Sequence, residues 1–243
     1  MLSRLGRLIG AARATNTDTV VEATSDCPLI WHEHIDYLID LHMQSYPEYD
    51  LTTNILTRTF PRGFDLRVVN IEALEKSFKE IDNQPDFEHA LTWLYLNPKG
   101  REKYKVQSWE APDSQRRPGL EFTLDTESDL ELLSWIFSFE AQGYNLELNP
   151  VQIINLIDTY PGQYAKVAKV ERKDYFQELQ EWYAANGAVK TMAYVKDQEW
   201  IDTPDNSIKP TKVKKQDEGA KKEDDKSTGK AKAKPGRPRR ANK

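Results

Sequence analysis

Asp26 stands in the run Thr24-Ser25-Asp26-Cys27-Pro28-Leu29-Ile30, shortly after the β-branched stretch Thr17-Asp18-Thr19-Val20-Val21. A carboxylate there falls where a strand of an α/β sheet hands over to its ligand crevice. A second acidic cluster, Asp125-Thr126-Glu127-Ser128-Asp129-Leu130, follows the apolar stretch Leu120-Glu121-Phe122-Thr123-Leu124 in the same way. Two such carboxylates meeting over one Mg²⁺ suit phosphate chemistry. Mg²⁺ prefers oxygen ligands and is usually held by one or two carboxylates plus the substrate's phosphates, and it neutralises charge on the phosphoryl group under attack. Spacing alone also fits a plainer role, with Asp26 opening a turn before Pro28 and Asp125 placed at a helix N-terminus, where capping and the helix dipole favour acids.

These loops need elements to hold them. Leu5, Leu8, Ile9 and Ala12 recur at helical spacing, so residues 1–17 read as a short amphipathic helix running into the first strand. Their Arg4, Arg7 and Arg13, without any acid, also match the composition of an organellar transit peptide. Trp31 to Met43 is expected to be helical, with Ile35, Leu38, Ile39 and His42 on one face. Leu51–Thr57 and Phe64–Val69 read as strands parted by a loop that Pro61 and Gly63 mark. Asn70 is expected to cap a helix over Ile71–Ile81, and Pro85 to open another that runs through Leu94 and Tyr95. Tyr104–Trp109 and Leu120–Leu124 supply further strands, and Thr126 a cap for a helix ending near Gly143. Helices follow around Ile153, Ile154 and Ile157 and from Asp174 to Ala185. The alternation argues for an α/β layered sheet.

A chain of 243 residues, 38% hydrophobic with 6 Trp, 11 Tyr and 8 Phe, can bury a sizeable core. No apolar run approaches the roughly 18 to 20 residues of a bilayer span, and the lone Cys27 excludes an intrachain disulfide, so a reducing, cytoplasmic setting is expected. The net charge of −5 conceals an asymmetry: residues 211–243 carry ten Lys and three Arg against five acids, a net of +8, which leaves −13 for residues 1–210. The expected organisation is an α/β domain over 1–170, a helical extension over 171–204 and a disordered Lys-rich tail over 205–243.

Taken in order, Thr24-Ser25-Asp26-Cys27-Pro28-Leu29-Ile30, Asn54, Phe60-Pro61-Arg62-Gly63-Phe64-Asp65, Glu88-His89 and Leu124-Asp125-Thr126-Glu127-Ser128-Asp129-Leu130 resemble the cytidylyltransferase family of spore coat polysaccharide biosynthesis protein F, a relative of the acylneuraminate and 3-deoxy-manno-octulosonate cytidylyltransferases. The resemblance implies a nucleotide-diphospho-sugar transferase-like fold with a mostly parallel sheet. It also implies transfer of a cytidylyl group from CTP to a sugar or sugar acid, with Mg²⁺ and release of pyrophosphate, in surface polysaccharide or glycan biosynthesis. By the same resemblance Asp26 and Asp125 are the catalytic, metal-holding pair, Asp129 supports its helix, and Asp65 and His89 line the substrate side. The family's Gly-rich nucleotide loop, of Arg-Leu-Pro-Gly-Lys type, belongs upstream of the Asp26 motif, and no such loop occurs among the 25 residues before that aspartate. The chain is therefore expected to match the C-terminal two-thirds of the family fold, to bind CTP poorly alone, and to work with a complementing N-terminal fragment or as a homo-oligomer. The alternative is a catalytically inactive interaction module whose basic tail contacts nucleic acid.

Other residues admit sharper and blander readings. His32, His34 and His42 could form a metal site, but their spacing departs from H-E-x-x-H, and surface or cap chemistry is the commoner role. Cys27 has no neighbouring base and reads as a small packed thiol. Trp93, Tyr95 and Trp109 could stack a base; Leu91, Leu94 and Tyr95 already form an apolar helical stripe, which makes them core. Gly236-Arg237-Pro238 resembles the centre of an AT-hook, although Pro235 precedes it where the motif has Arg.

Overall fold

Four strands, β1 (Thr19–Glu22), β2 (Leu51–Thr53), β3 (Arg67–Asn70) and β4 (Val106–Ser108), form one open sheet in the order β1-β3-β2-β4. The computed structural model describes residues 3–142, 149–172 and 174–186. The layered α/β class stands, but the ladder is mixed rather than mostly parallel: β3 pairs antiparallel with both β1 and β2, and β4 pairs in parallel with β2. Connections explain this. A loop returns the chain from β2 to β3 and so reverses it, whereas β4 is reached through a helical crossover, as parallel neighbours require.

That crossover consists of short helices. In chain order the helices are α1 (Arg4–Ala14), α2 (His32–Gln44), α3 (Ile71–Glu80), α4 (Gln84–Glu88), α5 (Thr92–Tyr95), α6 (Pro98–Arg101), α7 (Glu127–Ala141), α8 (Pro150–Thr159), α9 (Pro161–Tyr164) and α10 (Tyr175–Asn186). Neighbouring residues of a strand face opposite sides, and β3 uses both: Val69 joins Leu5, Leu51, Leu74, Trp93, Leu94 and Val106 in one core, while Val68 packs with Leu38 and Leu66 in another. Helices therefore cover both faces. A third core, including Leu29, Phe64, Phe122, Leu132, Ile136, Ile153 and Ile157, seats α7 and α8 beside the loops that carry Asp26 and Asp125. Glu22 anchors the edge strand, accepting from Arg67 at 2.5 Å and from Arg4 of α1 at 2.7 Å.

Three local expectations are corrected by tertiary contacts. Asn70 stands at the N-cap position of α3 but makes no capping bond; its Oδ1 instead lies 2.9 Å from Nε2 of His42, and its Nδ2 donates to the Tyr49 carbonyl. The helix predicted from Pro85 through Tyr95 is broken, with Ala90 at φ 58° between α4 and α5. Buried Asp86 explains the break. Its carboxylate collects Asn83 Nδ2 at 2.6 Å, Thr92 Oγ1 at 2.7 Å, Asn97 Nδ2 at 2.7 Å and Tyr175 OH at 2.6 Å, so the chain wraps around the charge instead of continuing straight. Leu120–Leu124 makes one isolated bridge, Arg62 to Glu121, rather than a strand. The basic tail lies outside the described residues.

Candidate functional site

Three loops converge at the end of β1. Phe122 N–H donates to the Arg62 carbonyl at 2.9 Å, Arg62 N–H donates to that of Leu120 at 3.0 Å, and Leu124 N–H donates to the carbonyl of Asp26 at 2.7 Å. The carboxylate-bearing segments around Asp26 and Asp125 therefore lie side by side. Gly63 makes the crossing possible. It holds φ 97°, and a Cβ there would meet Phe122 backbone and Cβ atoms at 2.7 to 2.9 Å, so neither the backbone angle nor the space admits an L side chain.

Asp26 and Asp125 carry oxygen donors at part-exposed and exposed positions. Among the described residues the Asp26 Oδ1 has a long contact from the Cys27 thiol, at 3.6 Å. Asp125 Oδ2 lies 2.9 Å from Thr123 Oγ1, which also lies 2.7 Å from Glu121 Oε1, so a single hydroxyl proton serves two carboxylates. Two hard, incompletely satisfied carboxylates fit Mg²⁺, which needs few protein ligands when phosphates supply the rest. Among the described residues no group of three or more His, Cys, Asp or Glu is placed to hold a metal. His42 faces Thr52 at 2.8 Å and Asn70 at 2.9 Å, while His34 is edge-on to Trp31, Phe60, Phe64 and Trp109.

Asp129 is buried behind Asp125. Its Oδ2 accepts from the backbone N–H of Asp125 at 3.1 Å and of Thr126 at 2.8 Å, while its own N–H reaches Thr126 Oγ1 at 3.4 Å, a reciprocal cap at the start of α7. This matches the supporting role implied for it. Burial would raise its pKa, but Arg172 and these N–H groups outweigh burial and hold the carboxyl below the usual range. Arg172, which the sequence motifs do not include, clamps Asp129 at 2.5 and 2.8 Å and reaches Asp125 Oδ2 at 3.3 Å.

Asp65 belongs to the same neighbourhood. The thiol of Cys27 is pushed up to about 12, chiefly by burial, with Asp26 and Asp65 both adding to the rise. A thiol so held is inert, as expected of a packed cysteine. Asn54 sets Asp65 in place by donating to the Phe64 carbonyl at 2.7 Å and accepting from Leu66 N–H at 2.9 Å. The Asp65 carboxylate is engaged by Arg58 at 2.5 and 3.0 Å. His89 is placed elsewhere: its Nε2 lies 2.9 Å from Glu178 Oε2 and its ring meets Tyr175 edge-on, both on α10, so its contacts run to α10 rather than to Asp26 or Asp125. Trp93 and Tyr95 are buried in the core.

No family model matches the chain. It is 28% identical to an uncharacterized protein of Methanocaldococcus jannaschii over 181 residues, 73% of this chain and 68% of the relative. It is 25% identical to the spore coat polysaccharide biosynthesis protein SpsF of Bacillus subtilis over 166 residues, 65% of this chain and 62% of that protein. The fold matches a cytidylyltransferase from Leptospira borgpetersenii with a TM-score of 0.59 and 25% identity, covering 71% of this chain and 68% of the other. The chain thus spans about two thirds of the length of these proteins.

Proposed function

Since this chain belongs to the cytidylyltransferase family, we propose that it takes part in transfer of a cytidylyl group from CTP to a sugar or sugar acid in surface polysaccharide biosynthesis. In that reaction an acceptor oxygen forms a bond to the α-phosphorus of CTP, and the bond to the pyrophosphate leaving group breaks. Asp26 and Asp125 are the residues that would hold Mg²⁺, whose contribution is to offset phosphate charge. The observation that carries the reading is the 2.7 Å bond from Leu124 N–H to the Asp26 carbonyl, which brings the two loops together from distant points in the chain. Asp129 then orients Asp125 through its backbone N–H. Asn54 and Arg58 fix Asp65 beside the same crossing, and in this reading Asp65 faces the sugar substrate.

The test is calorimetric titration of CTP into the full chain, with and without Mg²⁺, repeated for Asp26→Asn and Asp125→Asn. Weak but saturable CTP binding that needs Mg²⁺ and disappears in both variants is expected. CTP binding indifferent to Mg²⁺ and to both substitutions, or no binding at any metal concentration, would overturn the reading in favour of an interaction module.

A further inference from the structure

We propose that Arg172 is a built-in competitor of the divalent cation at Asp125, an internal counterion that keeps the pair from holding a bare metal ion tightly. The inference rests on the metal role proposed for Asp125 but adds a residue that no sequence block of the family resemblance contains. Its guanidinium is fixed by a two-pronged clamp on Asp129, with Nη2 2.5 Å from Oδ1 and Nη1 2.8 Å from Oδ2, and the same Nη1 reaches Asp125 Oδ2 at 3.3 Å. The clamp is firm on one side and loose on the other. The Asp129 side chain is 1% exposed and the Asp125 side chain 51% exposed, so Asp129 holds the guanidinium while Asp125 stays open to solvent and to another cation.

Electrostatics then set the outcome. A divalent cation bound to Asp125 Oδ2 would face a fixed positive charge a few ångströms away, on an oxygen already contacted by both Arg172 and Thr123. Repulsion at that range is substantial when the guanidinium is anchored rather than free to swing away. Removing the charge while keeping the side chain's length should strengthen binding of the bare ion.

The probe is Mn²⁺ alone, followed by the electron paramagnetic resonance signal of the free ion during titration into the full chain. Wild type, Arg172→Gln, Arg172→Lys and Asp125→Asn are compared. Arg172→Gln should bind Mn²⁺ about tenfold more tightly than wild type, Arg172→Lys should stay near wild type, and Asp125→Asn should lose binding. Because Arg172→Gln leaves Asp129 without its counterion, the double variant Asp129→Asn/Arg172→Gln removes both charges together, and it should show the same gain if the single variant fails to fold. Equal or weaker Mn²⁺ binding in the charge-removed variants, with Asp125→Asn still impaired, overturns the competitor role and leaves the metal site standing. Undetectable Mn²⁺ binding in every folded variant overturns both.

Discussion

His34 should make the protein acid-sensitive in a way that one substitution removes. Its residue is 3% exposed, its ring is edge-on to Trp31, Phe60, Phe64 and Trp109, and among the described residues neither ring nitrogen has a partner of hydrogen-bond geometry. Burial among these rings lowers its pKa from 6.5 to about 4, against the opposing effect of the neutral Gln115 side chain. The folded state therefore disfavours the proton that the unfolded chain accepts. The stabilisation is complete above pH 6.5 and is lost as pH falls toward 4. Linkage puts the loss at about 2 kcal/mol by pH 5 and about 3 kcal/mol by pH 4. The assay is urea unfolding of wild type and His34→Phe at pH 7, 6, 5 and 4. At pH 7 the two should differ by less than about 1.5 kcal/mol, since a similar flat ring replaces one packed chiefly among aromatic rings. Carboxylates and His42 titrate in both proteins and cancel in the difference, so the gap should open in favour of His34→Phe as pH falls. Parallel stability curves from pH 7 to 4 would refute the reasoning.

Further outcomes are expected elsewhere. Gly63→Ala should cost about 2 to 4 kcal/mol, because it adds backbone strain to a clash with Phe122; a urea midpoint within error of wild type would contradict the close crossing of Gly63 and Phe122. Asp86→Leu strands the donors Asn83, Thr92, Asn97 and Tyr175 and should cost about 3 to 5 kcal/mol. A smaller loss than for Asp86→Asn would show that these bonds do not shape the α4–α5 break. Deleting residues 207–243, which include the +8 segment 211–243 of a chain whose net charge is −5, should abolish any retention on duplex DNA at low salt without shifting the thermal midpoint; retention by the truncated chain would place polyanion binding elsewhere.

Much of this architecture was legible in residue order. Helical spacing of Leu5, Leu8, Ile9 and Ala12, of Ile35, Leu38 and Ile39, and of Ile153, Ile154 and Ile157 marked α1, α2 and α8, because an apolar stripe is a local property of the chain. The motif around Asp26 and the Asp-Thr-x-x-Asp run likewise placed two carboxylates at loop starts, and Thr126 and Asp129 form the local cap that such a run suggests. Partnership was another matter. That Asp65 is held by Arg58, His89 by Glu178 and Asp129 by Arg172, the last two pairs 89 and 43 residues apart, depended on how the cores stacked. The helix after Pro85 breaks for a similar reason: Asp86 takes one of its bonds from Tyr175. Asn70 turned from a local cap to His42, 28 residues away. Local periodicity specifies which face of an element is apolar, whereas a buried polar group is satisfied by whichever donor or acceptor the folded chain brings within reach, and only the tertiary structure decides that.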